Sequence, residues 1–171
     1  MAMVIEDSLL DSERANSMIK IPALAYDFVT VICSEFIGSG ATRSVFEYSL
    51  NDKYVVKIEP RNTNGNTTEW MMWNEIQHLT GSLEWVKKWF APVKWISPNG
   101  RILLMERTKP HTHKTKKVRP EKIPSFLWDV KEDNFGWIGD NYVCHDYGQF
   151  YNMINYPKKM KKVDWNKWDL D

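Results

Sequence analysis

Apolar and polar positions follow a short period in two neighbouring stretches, Val45-Phe46-Glu47-Tyr48 and Tyr54-Val55-Val56-Lys57-Ile58, with the turn pair Asn51-Asp52 between them. Two β-rich runs around a tight turn predict a hairpin. Just upstream, Phe28-Val29-Thr30-Val31-Ile32 is β-branched and aromatic and reads as extended, and Glu35-Phe36-Ile37 leads into Gly38-Ser39-Gly40. Residues 61–68 are rich in Asn, Thr and Gly and read as a loop. The period then changes. Trp70, Trp73, Ile76 and Leu79 step at helical spacing and predict a helix that buries that face, capped by Thr67 or Thr68, with Glu69 in its first turn and Gly81 at its end. Residues 85–90 suggest another short helical turn.

Residues 92–96 and 101–106 flank Pro98-Asn99-Gly100, a strong turn signal, and predict a second hairpin. Residues 107–122 contain Pro110 and Pro120 and read as a linker, and residues 123–129 as a short helix or an extended piece. Phe135-Gly136-Trp137-Ile138 and Tyr142-Val143-Cys144-His145 read as two short strands around Gly139-Asp140-Asn141. Ser12, Glu13 and Arg14 suggest a short helix in a polar lead-in. The tail from residue 151 is polar, with Trp165 and Trp168 as anchors. No internal repeat interrupts this order.

Composition narrows the class. With 171 residues and 43% apolar content, the chain fits one domain or two tightly joined lobes with a real core, not a disordered segment. The formal charge of +1 points to no partner. Local charge is uneven, with one basic run at Arg107, Lys109, Lys114, Lys116, Lys117, Arg119 and Lys122, and another at Lys158, Lys159, Lys161, Lys162 and Lys167. The first run suits nucleic acid or an acidic protein, but more often such a run is a solvated loop, and this one lacks interleaved aromatics. Two cysteines form no CxxC pair, which favours a reducing compartment. No stretch has the apolar length of a membrane span, and the mixed first twenty residues are no signal peptide. These features describe a soluble, cytoplasmic protein.

Several residue types suggest chemistry. Glycines at 38 and 40 between two strands let backbone approach a polyphosphate, although hairpin glycines are common for purely local reasons. Lys57 is the lone charge in an apolar strand, so its ammonium either snorkels or has a partner. Glu75 on the following helix is able to hold it, or is simply a solvated carboxylate. Asp129 and Asn134 lie five apart, and Asp146 precedes Gly148 by two. Their oxygens suit Mg²⁺, and each alone also suits a turn. His111 and His113 have poor metal spacing, and Cys144 fits a small buried thiol.

In this order the motifs resemble those of protein kinases over residues 28–150. Gly38-Ser39-Gly40-Ala41-Thr42-Arg43-Ser44-Val45 is similar to the family's G-x-G-x-x-G-x-V loop, with Arg43 at the third glycine. Val55-Val56-Lys57 resembles the V-A-I-K strand, and residues 74–79 resemble the helix that carries the ion-pairing Glu. Leu103-Leu104-Met105-Glu106 is similar to the strand entering the hinge. Asp129 to Asn134 fits D-x-x-x-x-N, and Asp146-Tyr147-Gly148 stands where D-F-G stands.

The resemblance implies an α+β, protein-kinase-like fold: an antiparallel N-lobe sheet with one main helix, and a reduced C-lobe. It implies an N-terminal extension at 1–24, an N-lobe at 25–106, a basic interlobe linker at 107–122 and a truncated C-lobe at 123–171. ATP and Mg²⁺ would bind between the lobes. Gly38, Ser39, Gly40 and Val45 would cover the nucleotide, Lys57 would contact phosphates and pair with Glu75, and Met105 would be the gatekeeper. Backbone from Glu106 to Thr108 would bond adenine, Asp129 would act on the attacking hydroxyl, and Asn134 and Asp146 would hold the metal. The implied activity is transfer to protein Ser/Thr hydroxyls. The alternatives are a pseudokinase-like module that binds nucleotide or a partner without transfer, and a nucleic-acid or host-protein binder acting through residues 107–122.

The chain departs from the family where Leu127-Trp128 replace His-Arg before Asp129, which removes a side-chain link from that loop to the metal motif. It departs again in the short interval from Glu106 to Asp129 and in the absence of A-P-E. Trp128, Trp137, Trp165 and Trp168 are candidates to cover the face a shorter C-lobe leaves open, and a dimer is the other way to cover it. Compact chains of this sort resemble kinase-like proteins of viruses or phages.

Overall fold

The computed structural model describes residues 29–61, 63–149 and 156–165. The expected lead-in helix near residues 12–14, Phe28 and Trp168 lie outside them. The chain is α+β, as expected. Its described elements are β1 (Cys33–Ser39), β2 (Ser44–Tyr48), β3 (Tyr54–Ile58), helix α1 (Gly65–Gln77), a 3-10 segment (Gly81–Trp89), β4 (Val93–Ile96), β5 (Ile102–Glu106), β6 (Lys122–Pro124), a 3-10 turn (Glu132–Asn134), β7 (Phe135–Ile138), β8 (Asn141–Cys144) and β9 (Met160–Lys162). Two compact units divide the chain, residues 1–67 with 93–107, and residues 68–92 with 108–171. The segment after the start of α1 therefore groups with the C-terminal residues, where the motif order places it with the sheet.

The first unit is a five-stranded antiparallel sheet in the order β1-β2-β3-β5-β4. Both expected hairpins are present, because each has its turn chemistry in place. Gly100 takes φ +72° in the β4–β5 turn, a conformation open to glycine at little cost, and a Cβ there would stand 2.7 Å from Thr67 Oγ1. Residues 29–32 form a helical turn instead of the extended segment that their β-branched side chains suggest. Val29, Ile32 and Cys33 close over Phe46, Val56 and Ile58 in one apolar cluster, and that burial outweighs local β-propensity.

Strand pleating sorts the sheet residues by face. Phe46 pairs with Val56, and Val56 with Leu104, on the side of that cluster. Val45, Lys57 and Leu103 are directly opposite one another on the other side, as are Glu47, Val55 and Met105.

Helix α1 starts two residues before the expected Thr caps, and the reason is Glu59. Its carboxylate accepts the Thr63 amide at 2.7 Å, the Thr63 hydroxyl at 2.6 Å and the Asn66 amide at 2.7 Å. A remote carboxylate thus does the work of an N-cap, satisfying orphan amides and facing the positive end of the helix. Asn66 adds bonds from its Nδ2 to the carbonyls of Lys57 and Arg101, at 3.3 and 3.1 Å.

The helix also turns a different face inward from the one its apolar spacing suggests. Asn66, Glu69, Met72 and Ile76 are the buried stripe, while Trp70 and Trp73 are only half-buried. Two of those four are polar, so a rule that buries apolar residues sets the rotation wrongly by about one position.

In the second unit the 3-10 segment buries Val86 and Trp89. Its end, Phe90, bridges Cys144, and the Ala91 amide donates to the Cys144 carbonyl at 2.9 Å. Strands β7 and β8 form the expected hairpin. Residues 122–124, expected as the end of a linker and the start of an ambiguous piece, form β6 and pair with β9 from the polar tail. Phe135, Trp137, Tyr142 and Trp165 make an aromatic cluster, with Tyr142 and Trp165 edge to face at 5.2 Å. Trp128, expected to help cover this region, is 55% exposed.

The basic linker lies on this cluster. Lys117 Nζ sits 5.5 Å from the Trp137 ring centre and 2.8 Å from Asp140 Oδ1. Arg119 pairs with Glu132 at 2.7 Å and stacks 5.6 Å over Trp165, whose Nε1 donates to the Pro120 carbonyl at 2.9 Å. Among the described residues no helix is long and apolar enough to cross a membrane.

Glu59 supplies a stability test. Burial pushes its pKa up, but hydrogen bonds from Asn66, Thr63 and Gly65 outweigh that and hold it below the ordinary carboxylate value. A depressed folded-state pKa contributes stability that is present above the unfolded value and is lost as pH falls through the folded value. Glu59→Gln turns an amide donor toward a helix amide and should destabilise by about 1–3 kcal/mol at neutral pH. In urea titrations across acid pH the gap between wild type and variant should shrink as pH falls below the ordinary carboxylate value of 4.5. A gap that is constant with pH would contradict the assignment.

Candidate functional site

The first unit carries the glycine-rich turn. Gly38 pairs with Val45 and Ser39 with Ser44, and the Gly40 amide donates to the Arg43 carbonyl at 2.9 Å, so a tight turn joins β1 and β2. Neither Gly38 nor Gly40 has a positive φ, and a Cβ built on either would meet nothing within 4 Å. The chain's own packing does not require glycine at these two positions. Open backbone there fits a ligand that a side chain would exclude. Arg43, at the family's third glycine, is buried and packs beside Gly65, whose Cβ would lie 3.4 Å from the guanidinium.

Lys57 is only 4% exposed. It shares its face with Val45, directly opposite, and with the buried Val55, Leu103 and Met105. One ammonium on a wall of aliphatic side chains, next to an open glycine turn, suits an anionic group attached to a flat apolar one. At the end of β5, Glu106 pairs with Tyr54, and the Arg107 amide is taken by the Lys53 carbonyl at 2.8 Å. The Thr108 side chain bonds His145 at 2.9 Å. Any adenine contact from residues 106–108 would therefore use backbone groups other than the Arg107 amide.

The second unit brings the other candidates together. Asn134 Nδ2 donates to Asp129 Oδ2 at 2.9 Å and to the Asp129 carbonyl at 3.2 Å. Both acceptors fix which end of the Asn134 amide faces Asp129, and its Oδ1 is turned elsewhere. Lys131 Nζ lies 3.5 Å from Asp129 Oδ1. The His145 amide donates to the Asn134 carbonyl at 2.9 Å, which ties the loop to the residue just before Asp146. The spacing of five between Asp129 and Asn134 is closed by a single 3-10 turn, Glu132–Asn134. Among the described residues no group of three or more His, Cys, Asp or Glu is placed to hold a metal ion. The two residues expected to hold a metal, Asn134 and Asp146, carry an amide oxygen and a carboxylate, hard ligand types that suit Mg²⁺ in company with phosphate oxygens.

Tyr147 anchors the metal-motif segment. It is fully buried, its hydroxyl donates to the Ala91 carbonyl at 2.7 Å, and its ring meets Phe90 edge to face at 5.1 Å. Its backbone amide donates to Glu69 Oε1 at 3.1 Å.

The α1 carboxylate that reaches this segment is Glu69, a contact the sequence suggested for neither glutamate of the helix. Glu75 lies on the more exposed side and accepts the Tyr156 hydroxyl at 3.1 Å. Burial and then the negative charge of Glu75 raise the Tyr156 pKa well above that of a free phenol. The rotation of α1 accounts for which carboxylate is buried. Patterning placed Glu69 in a helical turn and His145 at the end of a strand but gave neither a role in the site. No local signal marks either, since their partners lie 78 and 37 positions away.

No family model and no curated protein matches the chain. Among solved structures it matches the streptomycin–ATP ternary complex of APH(2")-IIa at 20% identity and a TM-score of 0.38, and the gentamicin complex of the same protein at 19% and 0.39. Each match covers 56% of this chain and 31% of that one.

Removing each α1 carboxylate separates their roles. Glu69→Ala leaves the buried Tyr147 amide without its acceptor and should cost about 1–3 kcal/mol in urea titration, while Glu75→Ala should cost under about 1 kcal/mol. Equal costs, or the reverse order, would contradict the inward position of Glu69 and the outward position of Glu75.

Proposed function

We propose that the chain is an ATP-dependent phosphotransferase of protein-kinase-like type, which moves the γ-phosphoryl group of Mg-ATP to an acceptor hydroxyl, with protein Ser and Thr side chains as the acceptor class. The observation that carries this reading is the closed Asp129–Asn134 loop, with Asn134 Nδ2 on Asp129 Oδ2 and the loop bonded to the residue before Asp146. Phosphoryl transfer asks little covalent chemistry of a protein. Positioning and charge neutralisation supply most of the rate.

Each group has a role in that reading. The open backbone at Gly38 and Gly40 takes the phosphates, and Lys57 supplies a fixed positive charge on the same face as Val45. Asn134 Oδ1 and the Asp146 carboxylate would hold Mg²⁺, which would neutralise charge on the phosphate oxygens. Asp129 orients the acceptor hydroxyl and takes its proton. The bond from acceptor oxygen to γ-phosphorus forms, the bond from that phosphorus to the β-bridging oxygen breaks, and ADP leaves. Asn134 fixes the Asp129 carboxylate in one rotation, which a positioned base requires.

One observation favours a second reading, a nucleotide- or partner-binding module without transfer. Lys131 lies 3.5 Å from Asp129 Oδ1, so both oxygens of the carboxylate have partners. Nucleic-acid binding through the linker is weakened by the pairing of Lys117 with Asp140 and of Arg119 with Glu132.

Transfer of labelled γ-phosphate from Mg-ATP to the chain itself, to a generic protein and to small polyhydroxyl acceptors tests the proposal, with nucleotide affinity measured alongside. Transfer to protein should occur, Asp129→Asn should lower kcat about 10²-fold or more with ATP affinity little changed, and Asp146→Ala should abolish transfer. Transfer to the small acceptors alone would replace the acceptor class. Mg-ATP binding without transfer would select the second reading, and neither binding nor transfer would overturn both.

A further inference from the structure

The family pattern places His-Arg immediately before the catalytic-loop Asp, and this chain has Leu127-Trp128 there. Leu127 is buried and Trp128 exposed, and the bonds from this loop to the metal-motif segment come from the opposite direction. His145 Nε2 lies 2.8 Å from the Asp133 carbonyl. A carbonyl only accepts, so Nε2 carries the proton, and in the neutral ring Nδ1 is then the acceptor. Thr108 Oγ1 stands 2.9 Å from Nδ1, where its hydroxyl serves that acceptor in the neutral ring. The His145 backbone amide holds the next carbonyl along the loop, that of Asn134.

Thr108 is itself fixed. Lys109 and Trp137 exchange backbone hydrogen bonds of 2.9 and 2.7 Å on the residue that follows it. Strand β7 approaches closely because residue 136 is glycine: a Cβ there would stand 2.6 Å from Thr108 Oγ1 and 2.9 Å from the Lys109 carbonyl. Contacts therefore run without a gap from Gly136 to Thr108, to His145, to Asp133 and Asn134, and from Asn134 to Asp129.

We infer that His145 is a positioning residue: it clamps the Asp129–Asn134 loop to the Asp146 segment, and so replaces from the metal-motif side the link that Leu127-Trp128 lack. Its consequence for catalysis rests on the proposed phosphotransfer. The clamp itself does not, because it concerns only which backbone segments are held together. An imidazole suits the task because its two nitrogens reach opposite ways, one toward a carbonyl and one toward a hydroxyl. Outer contacts of this kind orient the groups that touch metal or substrate, and their loss typically costs about 10- to 100-fold in metal affinity or activity.

The test compares His145→Leu, His145→Gln and Thr108→Val with wild type by amide hydrogen exchange, by Mn²⁺ titration in the presence of ADP, and by transfer kinetics. In His145→Leu the amides of residues 131–135 should lose protection about tenfold or more, while those of β2, β3 and β5 keep theirs. Mn²⁺ affinity should fall about 10-fold or more, and kcat should fall by a similar factor with KM for ATP within about twofold. His145→Gln restores a donor toward Asp133 and should recover part of each loss, and Thr108→Val should give a smaller loss of the same pattern.

Unchanged protection of residues 131–135 in folded His145→Leu would overturn the clamp. Loss of protection spread evenly over both units would also overturn it, by reducing His145 to a general stability residue. Wild-type protein that transfers no phosphate would remove the phosphotransfer reading, and the exchange pattern alone would then decide whether the clamp stands.

Discussion

A carboxylate with no solvent exposure sits on α1, the longest described helix, and the arrangement of the second unit depends on it. Burying Glu69 is costly unless its oxygens are bonded. The Tyr147 amide supplies one such bond, across 78 residues of chain. That requirement sets the rotation of α1. With Glu69 inward, Met72 and Ile76 follow it into the core one and two turns later, and Glu75 is carried to the more exposed side, where Tyr156 meets it. The same bond holds the backbone of the metal-motif segment, whose aromatic ring is wedged between Phe90 and the Ala91 carbonyl. A polar contact deep in an aromatic core thus fixes both helix phase and loop position, which apolar packing alone leaves loosely specified.

This contrast explains what the sequence revealed. Both hairpins of the sheet were legible because their signals are local: Asn51-Asp52 and Pro98-Asn99-Gly100 demand turns, and alternating neighbours demand strands. The helix was legible as an element, since its period is a property of thirteen adjacent residues. Its phase was not. Two tryptophans outrank a glutamate on any hydrophobic scale, and only the distant Tyr147 amide reverses the order. Residues 29–32 failed for a related reason. Their β-branching favours a strand, but as a helical turn they bring Val29, Ile32 and Cys33 onto one apolar cluster.

The candidate site divides along the same line. Asp129 and Asn134 were visible as a spacing of five, and a single 3-10 turn brings their side chains together. Gly38, Gly40 and Lys57 were visible because unusual residue types stand inside a strand pattern. Glu69 and His145 were invisible: each is ordinary in its own neighbourhood and acquires meaning only through a partner far along the chain. Glu75, expected to pair with Lys57, accepts the Tyr156 hydroxyl and is the other α1 carboxylate besides Glu69. It sits on the same helix with the same chemistry, six residues on, which is well off the buried stripe at about 3.6 residues per turn.

The basic linker shows what a charge run gains from the rest of the fold. Seven cations between residues 107 and 122 suit an acidic partner or, more often, a solvated loop, and the run contains no aromatic residue apart from histidine. Folding supplies the aromatics from elsewhere. Trp137 from β7 and Trp165 from beyond β9 lie under Lys117 and Arg119, and Asp140 and Glu132 close the other side of each cation. The Lys117–Asp140 pair is exposed and contributes little on its own. The Arg119–Glu132 pair is more enclosed, and the aliphatic part of Arg119 adds contact with the Trp165 ring. Lys117 fastens an otherwise irregular segment onto the β7–β8 hairpin, and Arg119 fastens it to Glu132 and Trp165. At the start of that segment stands Thr108, whose hydroxyl meets His145; the next residue, Lys109, exchanges backbone bonds with Trp137, so one residue of β7 holds the segment at both Lys109 and Lys117.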